Sequence, residues 1–105
     1  MTSVLSLTFH CPEHRLNQWK KYVGEQLSLL ADNLMDVDQY YLSEVESEMI
    51  SEGQNYNLLL IFSTAELRAD FLESELKNIE ERIISEFGHD VMLFQTLLNP
   101  IKIRE

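Results

Sequence analysis

The most restrictive feature of this sequence is a short segment that is apolar on both faces of a predicted strand. Between Tyr56 and Phe62, four aliphatic residues stand in a row and no position is charged. An antiparallel sheet with one face in water normally alternates apolar with polar or charged residues. Segments 3–9 and 91–98, also predicted to be strands, likewise contain no charged residue. We therefore expect a sheet with both faces covered.

Hydrophobic periodicity predicts the element order β-α-β-β-α-β. Alternating or continuous apolar runs predict four strands, and apolar residues three and four positions apart predict two helices between them. The predicted strands cover 3–9, 37–49, 56–62 and 91–98, with a turn at 51–55, and the predicted helices cover 13–33 and 63–87. This order predicts a single ferredoxin-like α+β domain over residues 1–105, with a four-stranded antiparallel sheet and two helices on one face.

Particular residues are predicted to fix the helices. Pro12 suits the first turn of the first helix, and Trp19 lies on its core stripe. Gly24, inside that helix, is expected to mark close packing. Ser63 and Glu66 match a capping box at the start of the second helix, and Gly88 suits its C-terminal cap.

The two helices can cover only one face of the sheet, so a second copy of the chain is expected on the other. Burying a large apolar side chain stabilises by about 1.5–3 kcal/mol, and association costs an estimated 4–15 kcal/mol. The two terms are comparable, which permits a homodimer. In the strand order 4-1-3-2, the second strand is an edge, and acidic residues there would prevent uncontrolled strand addition: Asp38, Glu44, Glu46 and Glu48.

Composition excludes several functions. Eighteen Asp and Glu face eight Lys and Arg, giving a net charge of −10, which disfavours nucleic acid and anionic membrane surfaces. No apolar stretch is long enough to span a membrane. The residues at 1–4 do not resemble a signal peptide, and Cys11 is the only cysteine. We therefore expect a cytoplasmic protein.

The histidines do not form a recognisable metal motif. His10 and His14 have a spacing found in zinc sites, but no second pair of ligands follows. His89 is the only other histidine. We therefore predict no metal site and no cofactor, with solvated histidines as the interpretation.

No catalytic motif is present either. The sequence contains no nucleophile elbow, phosphate-binding loop or dinucleotide-binding fingerprint. Should the fold hold a substrate between sheet and helices, the candidate polar groups to mutate are His10, Thr8, Tyr40, Tyr41 and Thr96. Because neighbouring strand residues alternate, either Tyr40 or Tyr41 must point away from the core.

Three segments together resemble a family of short bacterial proteins known as domain of unknown function 4286. They are the run 16–19 ending in Trp19, the turn 52–56 around Gly53, and the last strand 92–98. The resemblance covers nearly the whole chain. It implies a ferredoxin-like, dimeric α/β-barrel-type fold and brings no established activity or functional residues.

Three functional hypotheses follow. The first is a homodimeric, non-enzymatic module that binds a small molecule or a protein partner. The second is a small dimeric α/β-barrel-type enzyme, such as a cofactor-free monooxygenase or an isomerase, which rests on analogy of fold alone. The third is a haem or metal carrier with His10 or His14 as ligand. An apolar cavity with a convergent His or Tyr would favour the enzyme.

Overall fold

The four predicted strands form one antiparallel sheet in the computed structural model, which describes residues 1–46 and 52–104. The order across the sheet is β2-β3-β1-β4, and the strands are β1 (Ser3–Cys11), β2 (Gln39–Glu44), β3 (Gln54–Phe62) and β4 (Met92–Leu98). Every neighbouring pair is antiparallel. The predicted ferredoxin-like fold class is confirmed, and the second strand lies at an edge as expected.

The strands depart from the predicted ranges mainly at their ends. β1 continues through His10 and Cys11 because Asn55 and Gln54 of β3 extend the ladder opposite them. β2 is shorter than the predicted segment 37–49 and ends at Glu44. The predicted positions Glu48 and Met49, and Ser51 of the predicted turn, lie outside the described residues.

The first helical segment connects β1 to β2 and changes its winding along its length. It comprises a 3₁₀ turn (Glu13–Arg15), α1 (Leu16–Tyr22), a π-helical turn (Val23–Leu27) and α2 (Ser28–Asp32). Trp19 is fully buried, as predicted. The expectation for Gly24 is wrong: it lies in the π-helical turn, and a Cβ placed there would meet nothing within 4 Å.

The second helical segment consists of two helices, α3 (Ala65–Glu73) and α4 (Glu75–Phe87), where the periodicity predicted one. The break lies at Ser74, whose backbone has φ −128° and ψ −81°. The Ser74 hydroxyl donates a hydrogen bond to the Asp70 carbonyl at 2.7 Å. A serine that bonds back to the preceding turn competes with regular helix, which explains the interruption without Gly or Pro.

The caps of this segment were predicted correctly at one end only. Thr64, and not Ser63, is the N-cap of α3, because its Oγ1 accepts a hydrogen bond from the Leu67 N–H at 3.1 Å. Gly88 ends α4 as expected, with φ +63° and its N–H bonded to the Ile84 carbonyl.

The core lies between the sheet and the helices. Alternate residues of β1 and β3 are buried there, while the residues between them are only half-buried. An aromatic cluster fills the centre around Trp19, whose ring lies within 6 Å of four others: Phe9, Tyr22, Tyr56 and Phe87. In the described part of the chain, no helix has the length and apolar character needed to cross a membrane.

Candidate functional site

The face of the sheet that points away from the helices, called the open face below, carries its side chains in four rows across the strands. In the order β2, β3, β1, β4 the rows are Gln39–Ile61–Val4–Leu98, Tyr41–Leu59–Ser6–Thr96, Ser43–Asn57–Thr8–Phe94 and Val45–Asn55–His10–Met92. None of these residues is Asp, Glu, Lys or Arg. The four rows are therefore neutral on a chain of net charge −10, and Asp38 and Arg104 lie beside the first row.

Apolar side chains surround a small polar centre on this face. Asn57 Nδ2 donates hydrogen bonds to Ser6 Oγ at 2.8 Å and Thr8 Oγ1 at 3.3 Å. Large apolar or aromatic side chains are exposed around this centre: Tyr41 (61%), Phe94 (53%), Met92 (47%) and Leu98 (44%). The three polar side chains of the centre are linked by hydrogen bonds, whereas the apolar side chains around them are exposed.

Four of the five predicted site residues lie on the open face, but they do not converge. Tyr41 and Thr96 stand in the same row on opposite edge strands, three strand spacings or about 14 Å apart. Thr8 lies in the next row, and His10 in the last, where its Nδ1 donates to Asn55 Oδ1 at 2.7 Å. The four side chains are therefore spread over a surface and do not meet at one point.

The fifth candidate, Tyr40, points to the helical side of the sheet. It is half-buried, and its hydroxyl donates a hydrogen bond to the Asp32 carboxylate at the end of α2. That hydrogen bond, with a smaller effect of burial, raises the pKa of Tyr40. Tyr41 is thus the outward-facing tyrosine, and Tyr40 ties β2 to the first helical segment.

The two histidines near Cys11 are held apart. His10 faces the open side of the sheet, whereas His14 lies in the 3₁₀ turn with Nε2 3.6 Å from Asp90 Oδ2. Over residues 1–46 and 52–104, no group of three or more His, Cys, Asp and Glu side chains comes close enough to hold a metal ion.

A groove of about 440 Å³ separates α4 from β4, and the sequence did not single it out. The volume lies in the range of small-molecule sites. Its lining is mostly apolar, with two polar residues among its eight: Glu80, Ile83, Ile84, His89, Val91, Met92, Leu93 and Phe94. One signal was available in the sequence, because Ile84 is an apolar residue beside the core stripe of α4. In the structure its side chain is 47% exposed.

The only cysteine is buried beneath the sheet and predicts a dependence of stability on pH. Burial raises the pKa of the Cys11 thiol from 9.0 to about 11. The folded state therefore holds this proton more tightly than the unfolded state. We expect the free energy of unfolding to be unaffected by Cys11 below pH 9 and to fall by about 2–3 kcal/mol as pH rises to 11.

Urea unfolding of the wild type and of Cys11→Ala across this pH range tests the prediction. Three tyrosines, Tyr22, Tyr40 and Tyr56, also have raised pKa values and lower stability at the alkaline end in both proteins. The alanine variant should therefore show a smaller loss between pH 9 and 11. An equal loss in both proteins would mean that the thiol does not titrate as described.

Solved structures with this fold are similar over nearly the full chain. An ethyl tert-butyl ether d (EthD) family protein from Bacillus halodurans has a TM-score of 0.69 at 12% identity, over 91% of this chain and 97% of its own. A putative antibiotic biosynthesis monooxygenase from Bacillus cereus gives 0.62 at 9% identity, over 100% and 96%. At such identities, the likeness shows the fold alone.

A third similar structure is described as a dimeric ferredoxin-like protein from an uncultured marine organism. Its TM-score is 0.64 at 6% identity, over 98% of each chain. No protein of curated function matches the chain in sequence. The model of one sequence family, described as Domain of unknown function (DUF4286), matches residues 2–101, in agreement with the resemblance noted from the sequence. The chain therefore belongs to the DUF4286 family.

Proposed function

We propose that this protein is a homodimer in which two copies pack their open faces together, and that each copy binds a small apolar molecule in the groove between α4 and β4. The observation that carries the proposal is the absence of charge across all four rows of the open face. Similar structures described as dimeric ferredoxin-like proteins support it.

Electrostatics favours the open face as the contact surface. Each copy carries a net charge of −10, so association through an acidic surface would bring carboxylates together in a region of reduced dielectric. The four neutral rows avoid this repulsion. Electrostatics therefore selects the contact surface, although it contributes little attraction of its own.

Apolar burial supplies the driving force. Tyr41, Met92, Phe94 and Leu98 are each roughly half exposed. Covering them in two copies would recover on the order of 10 kcal/mol, given about 1.5–3 kcal/mol for each fully buried side chain. Association costs an estimated 4–15 kcal/mol. These terms predict a dimer that dissociates measurably on dilution.

The groove supports the ligand-binding part of the proposal. Ile83 and Val91 form buried walls, and Ile84, which lies outside the open face, leaves apolar surface exposed at the edge of the groove. His89 adds a ring nitrogen able to donate or accept one hydrogen bond. A ligand that matches this lining is a mostly apolar molecule with a single polar group.

A second candidate function is a small cofactor-free enzyme, either a monooxygenase or an isomerase. The specific observation in its favour is His89 beside an apolar groove, because histidine is the commonest general acid or base. The test is His89→Gln, which should keep the ligand bound and abolish its conversion. Unchanged turnover would leave the protein as a binding module.

Three single variants separate the two parts of the main proposal. Thr8→Asp places a charge at the centre of the open face, Ile84→Asp places one at the groove, and Ala69→Asp places one at an exposed position of α3 outside both. Aspartate can still accept the Asn57 hydrogen bond that Thr8 receives, so Thr8→Asp should fold normally.

We expect Thr8→Asp to raise the dimer dissociation constant about 100-fold or more, since an unpaired charge becomes desolvated in the interface. Ile84→Asp should remain dimeric and lose any small molecule that is retained by the purified protein in native mass spectrometry. Ala69→Asp should change neither property. An unchanged dimer in Thr8→Asp would contradict the face-to-face arrangement, and an adduct retained by Ile84→Asp would contradict the ligand site.

A further inference from the structure

We propose that a second groove, between the first helical segment and α4, binds a short peptide through its free amino and carboxyl termini. This groove, called the helix groove below, has a volume of about 400 Å³ and lies apart from the open face and the α4–β4 groove. Its lining residues are Tyr22, Glu25, Gln26, Leu29, Leu30, Asn33, Leu34, Glu75, Asn78 and Arg82.

Glu75 provides the first indication of a ligand. Its Oε1 accepts a hydrogen bond from the Met35 N–H at 3.4 Å, whereas its Oε2 is buried and has no hydrogen-bond partner among the described residues. A buried carboxylate oxygen without a donor is unfavourable, because it has lost its hydrogen bonds to water without replacement. A ligand ammonium group would supply both the missing donor and the opposite charge.

Arg82 and Tyr22 provide a complementary group for an anion. Arg82 Nε donates to Asn78 Oδ1 at 3.3 Å, and its terminal nitrogens meet no acceptor in the described part of the chain. Tyr22 is only 5% exposed, lines the same groove, and makes no hydrogen bond through its hydroxyl to any described residue. A carboxylate can accept from a guanidinium and a phenol together.

The positive charge of Arg82 is close enough to Tyr22 to affect the pKa of the tyrosine hydroxyl. Burial raises the pKa of Tyr22, the positive charge of Arg82 acts in the opposite direction, and the negative charge of Glu86 adds a smaller increase. Both donors therefore belong to the same end of the helix groove, while Glu75 occupies the other.

The spacing of the charged groups sets the length of the ligand. Glu75 and Arg82 are seven residues apart on α4, which places them on one face of the helix about 10 Å apart along its axis. An extended peptide spans about 3.3–3.6 Å per residue, so three residues match this distance. Leu29, Leu30 and Leu34 form an apolar wall between the two ends, which favours an apolar central side chain.

The test uses the tripeptide Gly-Leu-Gly and the protein's own fluorescence. Trp19 is the only tryptophan, and its ring stacks on Tyr22 with centroids 5.9 Å apart and planes 18° from parallel. Its emission should respond to occupation of the helix groove, and isothermal titration calorimetry gives an independent reading of binding.

Modified peptides and protein variants are then combined to show which residue binds each terminus of the peptide. N-acetylation of the peptide and Glu75→Gln should each weaken binding at least tenfold, and Glu75→Gln should not weaken the acetylated peptide further. C-terminal amidation and Arg82→Met should show the same relationship. Glu81→Gln, an exposed glutamate of α4 that does not line the helix groove, should bind as the wild type does.

Two results would overturn the proposal. One is the absence of heat and of fluorescence change with Gly-Leu-Gly at millimolar concentration. The other is binding of the capped peptides, or of 6-aminohexanoate, as tightly as the free peptide. In 6-aminohexanoate the two charges have a similar separation, but the molecule has no peptide groups and no leucine side chain. Because Glu75 and Arg82 lie outside the open face and the α4–β4 groove, failure here would leave the dimer and its ligand site untouched.

Discussion

Replacing Arg68 with methionine is expected to lower the free energy of unfolding by about 2–4 kcal/mol. Arg68 lies on α3 and is only 7% exposed. Its Nη1 donates to the carbonyls of Val4 at 2.9 Å and Leu98 at 3.0 Å, and its Nη2 donates to Asn99 Oδ1 at 2.8 Å. One side chain therefore fastens α3 to the paired ends of β1 and β4.

Two opposing terms decide the size of this effect. Methionine keeps most of the apolar stem and removes a buried charge, which is favourable. It also removes the donor from two backbone carbonyls and a side-chain amide, and hydrogen bonds to charged groups contribute about 1.5–3 kcal/mol each. Three such bonds acting together outweigh the relief from desolvation, so a net loss is expected.

Urea unfolding with linear extrapolation measures the change. Arg82→Met is the matched control, because Arg82 is exposed and donates only to Asn78 among the described residues; it should stay within about 0.5 kcal/mol of the wild type. Arg68→Lys should be intermediate, since an ammonium group cannot reproduce the planar fork. A loss for Arg68→Met no larger than the control's would show that these hydrogen bonds do not stabilise the fold.

Replacing Gly53 with alanine is expected to cost about 3–5 kcal/mol. Gly53 has φ +80°, and a Cβ on it would lie 2.2 Å from the Cys11 carbonyl oxygen and 3.1 Å from Pro12 Cα. Both contacts are with backbone at the end of β1, which cannot rotate away. The unfavourable free energy of an alanine at positive φ and that of the steric clash therefore add.

Gly24→Ala is the natural control for Gly53→Ala. Gly24 lies in the π-helical turn, with nothing within 4 Å of a new Cβ. Alanine there should stabilise by about 0.5–1 kcal/mol, through its better helix propensity and the smaller entropy of the unfolded chain. Thermal and urea unfolding of both variants should give changes of opposite sign. Tolerance of alanine at position 53 would contradict the close approach of this turn to β1.

The sequence predicted the sheet because its signals are local. Alternation and apolar runs identify strands wherever they fall, and the missing charge in 3–9, 56–62 and 91–98 identified a neutral second face. The break at Ser74 was missed because a serine inside an apolar stripe resembles any other helical position. The role of Arg68 was missed because its three acceptors come from distant parts of the chain.

The candidate sites were predicted less completely for the same reason. Thr8, His10, Tyr41 and Thr96 were chosen as polar residues of the predicted strands and their ends, and the structure puts all four on the open face without bringing them together. The two grooves are each made by elements far apart in sequence, such as α4 with β4. Neither His89 nor the pair Glu75 and Arg82 forms a recognisable motif, so only the folded chain brings them to a groove.

The most direct test of the proposed function is the native mass of the unmodified protein, measured by sedimentation equilibrium over a range of micromolar concentrations. Association through the neutral open face predicts a mass twice the 12.3 kDa of one chain, which falls towards the mass of one chain on dilution. In Thr8→Asp this fall should begin at a higher protein concentration than in the wild type. A mass of one chain throughout this range would contradict the homodimer and leave the open face without its proposed partner.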